Sequence, residues 1–144
     1  MKCYCDTSIL ASLYLCDEHS EQVAIWIQKT ERPIPLTPLT ELELTGAIQQ
    51  RLFRKEISEA EAMESQQYFQ QDILTGFYQR HFHQGEEYQK ALQLVLQHTS
   101  SIGCRTLDVL HIASALTLNI RLFATYDLRQ KMLARKIGLN TIDF

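Results

Sequence analysis

The stretch Arg105-Thr106-Leu107-Asp108-Val109-Leu110-His111-Ile112-Ala113-Ser114-Ala115-Leu116 constrains this chain more than any other. Its apolar residues lie on almost every side of a helix, and such a helix has to be enclosed at the centre of a domain. Asp108 nevertheless stands in its first turn, just after Thr106, which reads as the N-cap. Unpaired N–H groups and the positive end of the helix dipole favour a charged carboxylate there. A charge on the most buried helix needs a partner. Two partners are open: the helix's own N-terminus, which makes Asp108 a cap, or a metal ion.

The rest of the chain supplies what surrounds that helix. Lys2-Cys3-Tyr4-Cys5 reads as a short strand ended by Asp6-Thr7-Ser8. Ile9, Leu10, Leu13 and Tyr14 then fall at helical spacing. A second helix opens at His19-Ser20, with Val23, Trp26 and Ile27 on one face. Ile34-Pro35-Leu36 is a second strand, placed by its proline near a sheet edge or at a strand start. The next helix starts around Thr37-Pro38 or Thr40 and runs to about Lys55 on a Leu44, Ala47, Ile48, Leu52 stripe. Ser58 with Glu61 forms a capping box with Ile57 at the staple position, opening a helix to about Leu74. Gly76 breaks that pattern, and residues 77–84 take no assignment. Tyr88, Ala91, Leu92 and Val95 mark a further amphipathic helix. After the central helix come a strand over Arg121–Thr125, a turn at Tyr126-Asp127, a helix over Leu128–Ile137 ended by Gly138, and a last strand over Asn140–Phe144. Strands separated by helices imply parallel pairing and an α/β sandwich.

At 144 residues the chain is long enough for one domain with a real core. No run approaches eighteen apolar residues, and the N-terminus enters a strand without a signal-peptide apolar region, so a cytoplasmic protein is expected. A formal net charge of −3 gives no global attraction to nucleic acid and leaves local patches to provide it. Cys3, Cys5, Cys16 and Cys104 lack the spacing of a zinc site and read as buried thiols of a reducing compartment.

Ligands of such sheets bind outside the carboxyl ends of the strands. Asp6 and Asp127 each follow a strand, and Asp108 lies at a helix N-terminus able to face the same rim. Each is an ordinary N-cap taken alone; three from distant parts of the chain converging on one spot suggest a site. A fourth acid is expected from the helix after the second strand. Glu41 lies beside the Leu44/Ile48 stripe, and Glu43 lies over Gly46 and Ala47, whose small side chains let the rim approach. Glu43 is favoured, although Thr40 and Glu43 also have the spacing of a capping box.

In Asp6-Thr7-Ser8, Thr37-Pro38 with Leu42-Glu43-Leu44, the segment Arg105–Leu116, and Thr125-Tyr126-Asp127 with Arg129, the chain resembles the PIN-domain ribonucleases, and among them the VapC-like toxins of toxin–antitoxin pairs. The resemblance runs over nearly the whole chain and implies a single PIN-like nuclease domain over residues 1–144, a three-layer α/β/α sandwich with a central parallel sheet. It further implies a Mg²⁺- or Mn²⁺-dependent endoribonuclease whose catalytic and metal-binding acids are Asp6, Glu43, Asp108 and Asp127. RNA is the implied substrate and a small antitoxin protein the implied inhibitor; a homodimer is the expected assembly, with no membrane association.

The chemistry is coherent on its own terms. Mg²⁺ takes oxygen ligands, commonly one or two carboxylates with waters and phosphate oxygens, and orients water for in-line attack on a phosphodiester. Asp6, Glu43 and Asp108 are the expected ligands, directly or through water, with Asp127 peripheral. His111 reads as a core histidine ahead of a proton shuttle. Arg51, Arg54 and Lys55 at one helix end, and Arg129, Lys131, Arg135 and Lys136 on the last helix, are candidate phosphate contacts, or else solvated helix faces. A phospho-accepting receiver domain shares the architecture but requires an acidic pair after the first strand and a lysine ending a late one, and both are missing. The remaining alternative is a non-catalytic PIN-like RNA-binding or scaffold domain.

Overall fold

The computed structural model describes all 144 residues. The elements are β1 (Cys3–Cys5), α1 (Thr7–Tyr14), α2 (Ser20–Gln28), β2 (Ile34–Leu36), α3 (Pro38–Phe53), α4 (Glu59–Leu74), β3 (Tyr78–Arg80), α5 (Glu86–Leu94), α6 (Ser100–Ile102), α7 (Thr106–Thr117), β4 (Leu122–Ala124), α8 (Leu128–Lys136) and β5 (Asn140–Thr141). A π-helical turn at Val95–Thr99 joins α5 to α6.

Every strand pairing is parallel. β4 lies between β1 and β5, with Tyr4 opposite Phe123 and Phe123 opposite Thr141. β2 pairs with β3, and β1 lies beside β2. Pro35 explains why no ladder joins the last two. The Ile34 N–H and Leu36 C=O are both spent on the β3 side, on Phe77 and His81. The intervening residue turns its backbone toward β1, and a proline has no N–H to offer there. Pro35 thus stands at the edge of a hydrogen-bonded ladder, as its ring predicts, but that edge is inside the molecule.

Alternation along β1 separates two cores. Tyr4 and Phe123 stack face to face, with centroids 5.5 Å apart, among Leu94, Val109, Ile112, Ala113 and Leu133 of α5, α7 and α8. Cys3, Cys5 and Ala124 point the other way, toward Ile9, Val23, Leu44 and Phe69 of α1 to α4. This is the three-layer α/β/α sandwich. α7 is its buried helix: Val109 through Ala115 are all enclosed.

Several local expectations shift. Arg105, not Thr106, is the N-cap of α7, and it caps without a side-chain hydrogen bond. Thr37 caps α3 by accepting the Thr40 N–H, so the helix starts at Pro38, two residues before Thr40, and the Thr40/Glu43 capping box does not form. The unassigned residues 77–84 contain β3. Along α5 the buried residues are Glu87, Ala91 and Leu94, while Tyr88, Leu92 and then Leu96 stand exposed. Cys3, Cys5 and Cys104 are buried thiols as expected, and Cys16 is exposed. The Ser58–Glu61 capping box forms with both of its reciprocal hydrogen bonds.

Candidate functional site

Asp6 follows β1 directly, and its N–H continues the ladder to the Ala124 carbonyl at 3.0 Å. It is both a cap and something more. Its Oδ1 accepts from the Ile9 N–H at 3.3 Å and from Ser8 Oγ at 2.6 Å, while Oδ2 accepts from Thr125 Oγ1 at 2.9 Å. Only 5% of the residue is exposed. Burial raises its pKa above the ordinary carboxylate value, against the lowering pull of His111, Ser8, Thr125 and the Ile9 N–H. An acid fixed on both oxygens and reluctant to ionise has its geometry set before any ligand arrives.

The α3 glutamates have separate surroundings. Glu41 is clamped bidentately by Arg80 of β3, at 3.1 and 2.6 Å. Glu43 turns inward, where Oε1 accepts from Thr7 Oγ1 at 2.8 Å and pairs with His111 Nε2. His111 is 1% exposed, and its Nδ1 lies 3.0 Å from the Tyr4 hydroxyl, which reaches Thr37 Oγ1 at 3.3 Å. Burial pulls the imidazole pKa down. The Tyr4 oxygen and the Glu43 and Asp6 carboxylates outweigh that pull and lift it to about 10. An imidazolium then donates Nε2–H to Glu43 and Nδ1–H to Tyr4. Half-burial favours a neutral Glu43, but His111, Thr7 and Arg105 take its pKa below the usual value. His111 is therefore a core histidine with a polar task, holding Glu43 charged and in place.

Asp108 and Asp127 share a cleft of about 490 Å³ with Arg105, Tyr126, Leu128 and Arg129. Asp127 caps α8 by accepting the Gln130 N–H at 2.7 Å, and its own N–H donates to Thr125 Oγ1 at 3.0 Å. Thr125 thus ties Asp127 to Asp6. The fully buried Gln130 donates Nε2–H to the Asp108 carbonyl at 3.0 Å and fixes α8 against α7. Arg105 donates Nε–H to Asp108 at 2.8 Å and approaches Asp127 at 3.9 Å. It is the cation between the two acids.

The structure brings Asp108 and Asp127 together in one cleft and links Asp6 to Asp127 through Thr125; Glu43 joins Asp6 through the field of His111. Even so, no three His, Cys, Asp or Glu side chains are close enough to enclose an ion. The donor set still suits Mg²⁺ or Mn²⁺: it is all carboxylate oxygen, and such ions commonly take one or two carboxylates and keep their waters. The candidate phosphate contacts divide. Arg129 lines the cleft and reaches the Gly103 carbonyl at 3.4 Å, whereas Lys131 and Arg135 both bind Asp143, at 3.3 and 2.7 Å. Arg51 and Arg54 pair with Glu56. Sequence reasoning had no role for Tyr4, Arg105 or Gln130. Arg105 had a signal, its place four residues before Val109, the first buried position of the central helix; the others depend on contacts made across the fold.

A PIN domain family model matches residues 3–136. The chain belongs to the PIN domain family. Among solved structures, this PIN domain is similar to VapC20 of Mycobacterium tuberculosis, a toxin that cleaves the sarcin-ricin loop. The TM-score is 0.71 at 13% identity, over 91% of this chain and 94% of that one. It is similar to the same degree to FitAcB from Neisseria gonorrhoeae, with a TM-score of 0.71 at 16% identity over 99% of this chain and 97% of that one. At such identities the likeness is one of fold. No curated protein matches the sequence. No helix of the PIN domain is long and apolar enough to cross a membrane.

Proposed function

We propose that this PIN domain is a Mg²⁺- or Mn²⁺-dependent endoribonuclease that hydrolyses RNA phosphodiester bonds, and that it is the toxin of a toxin–antitoxin pair working in the cytoplasm. The observation that carries the reading is the cleft in which Asp108 and Asp127 meet two arginines, Arg105 and Arg129. Acids for a cation and guanidinium groups for a phosphate are what phosphodiester hydrolysis needs in one place. Asp6, Glu43 and Asp108 are the residues we assign to the ion, directly or through water, and Asp127 to its outer side. When bound, the ion supplies Lewis-acid activation of water and neutralises charge on the phosphate.

This chain's own residues do the rest. Ser8 and Thr125 keep both Asp6 oxygens oriented, while Thr7 and His111 hold Glu43 by its Oε1 alone. Arg105, its side chain 76% exposed, is open to solvent and to an incoming phosphate, which would compete with Asp108 for the guanidinium. Support for the pairing with a small antitoxin comes from the likeness of fold to a toxin. The exposed Tyr88, Leu92 and Leu96 of α5 and the turn after it favour a second copy of the chain as a further partner.

A non-catalytic scaffold has one observation in its favour, the arginine already seated between Asp108 and Asp127. Incubation with total RNA and Mg²⁺, followed by mapping of product ends, separates the two. Discrete cut sites that vanish with a chelator support the nuclease. Uncut RNA, together with no heat of Mn²⁺ binding by calorimetry, favours the scaffold.

A further inference from the structure

Beside the cleft runs a stack of aromatic rings that none of the chemistry above uses. Tyr126, which lines the cleft with Asp108 and Asp127, packs against two rings. His19 is nearly parallel to it at 18°, with its centroid 3.9 Å away, and Phe144 is tilted with its centroid at 4.9 Å, itself met edge-on by Trp26 at 5.2 Å. Phe144 is wedged between Tyr126 and Trp26. His19 ends the stack, and its side chain keeps 38% of its surface exposed.

Beyond its packing on Tyr126, the His19 side chain has no evident structural task. It is the N-cap of α2, yet its side chain makes no capping hydrogen bond. Its one polar contact is with Glu18 at 3.4 Å, an exposed pair that contributes little. The loop carrying it is nevertheless well fixed. Asp17 accepts from the His19 N–H at 2.8 Å and from Ser12 Oγ at 2.8 Å, and the Asp17 N–H donates to Ser20 Oγ at 3.0 Å. The inner end of the stack is fixed too: the Tyr126 N–H donates to Ser8 Oγ at 3.2 Å, the same hydroxyl that donates to Asp6. The flat ring is thus held in constant register with the acids.

We infer that the open face of His19 is a stacking platform for an RNA base next to the phosphate that is cut. The inference rests on the ribonuclease reading. Stacking on aromatic side chains is the ordinary way in which proteins hold unpaired bases, because every base has a π face. The charge around His19 points to a base rather than to a backbone phosphate: Asp17, Glu18 and Glu21 flank it in the sequence. An acidic loop repels phosphate but leaves a neutral base free to stack. The phosphate belongs in the cleft with Arg105 and Arg129, and the base lies on the ring at the end of the stack.

The test is steady-state cleavage of a single-stranded RNA oligonucleotide with Mn²⁺ by wild type, His19→Ala and His19→Phe, repeated with an abasic residue at each position around the cut. Stacking predicts a KM raised about tenfold for His19→Ala, with kcat and melting temperature little changed. His19→Phe, which restores a flat ring without the nitrogens, should have a KM near wild type. One abasic position should weaken wild type and His19→Phe while leaving His19→Ala indifferent. An unchanged KM for His19→Ala, or a His19→Phe as weak as His19→Ala, overturns the platform while leaving the nuclease in place. Absence of any cleavage by wild type removes the nuclease reading, and the platform with it.

Discussion

Glu41 and Glu43 show what a two-residue step means at the level of single side chains. On a helix it moves a carboxylate to nearly the opposite face, and α3 uses both faces. Glu41 crosses to the partly exposed Arg80, whereas Glu43, itself half-buried, meets Thr7 and the buried His111. Glu41→Gln should therefore leave RNA cleavage unchanged and cost at most about 1 kcal/mol of stability. Glu43→Gln should lower kcat by about 100-fold or more, as removal of a preorganised charge does. Parallel rate assays and thermal melts on the two variants check this, and equal loss of rate in both would remove the distinction. The ground on which the sequence favours Glu43, a close approach over Gly46 and Ala47, does not hold: Gly46 is exposed, and nothing lies within 4 Å of where its Cβ would stand. The anchoring of Glu43 was not legible either: His111 and Tyr4 are 107 residues apart, and neither apolar periodicity nor spacing reports such a contact. Asp6 holds its proton more tightly than usual because it is buried, and Arg105 lies between Asp108 and Asp127.

At the scale of elements, α8 carries the most cations, and its neighbours divide them. Lys131 and Arg135 are committed to Asp143, and Arg135 also donates Nε–H to Thr141 Oγ1 at 2.6 Å. Asp143 itself is pulled below the usual carboxylate range by Arg135 and Lys131. Only Arg129, two residues after Asp127, lines the acid-bearing cleft. Neutralising Arg129 with Gln should weaken RNA binding and make its salt dependence shallower by about one counterion, whereas Lys131→Gln with Arg135→Gln should change neither. Fluorescence anisotropy across a salt series measures both. If the double variant has the shallower slope, the phosphate track runs along the far end of α8 instead. The sequence presents four cations on one helix without saying which are neutralised, because Asp143 lies beyond the last turn and folds back on it. Strand boundaries show the same limit. β1, β2 and β4 follow from their short apolar runs, while β3, Tyr-Gln-Arg, has a single buried residue and is held by its ladder to β2.

For the molecule as a whole, the parallel sheet places two of the candidate acids at the carboxyl ends of β1 and β4, while α3 and α7 bring the other two from the sides. Asp6 and Asp127 come from either end of the chain and meet through Thr125. Few side chains inside would tolerate change: Tyr4 is at once a stacked core ring and the hydroxyl behind His111. The PIN fold and the polar cleft therefore depend on the same buried strands. The central claim is that the cleft is a metal-dependent nuclease site, and Asp108 is its plainest probe. Asp108→Asn keeps the shape of the side chain, and the wild-type pair it breaks is with an exposed arginine, so the fold should melt within a few degrees of wild type. The decisive measurement is cleavage of one RNA by wild type and Asp108→Asn at matched Mn²⁺. Metal-dependent cleavage by wild type, reduced about 100-fold or more in the variant, is the predicted result. Equal cleavage by the two, or cleavage that persists in a chelator, would contradict it.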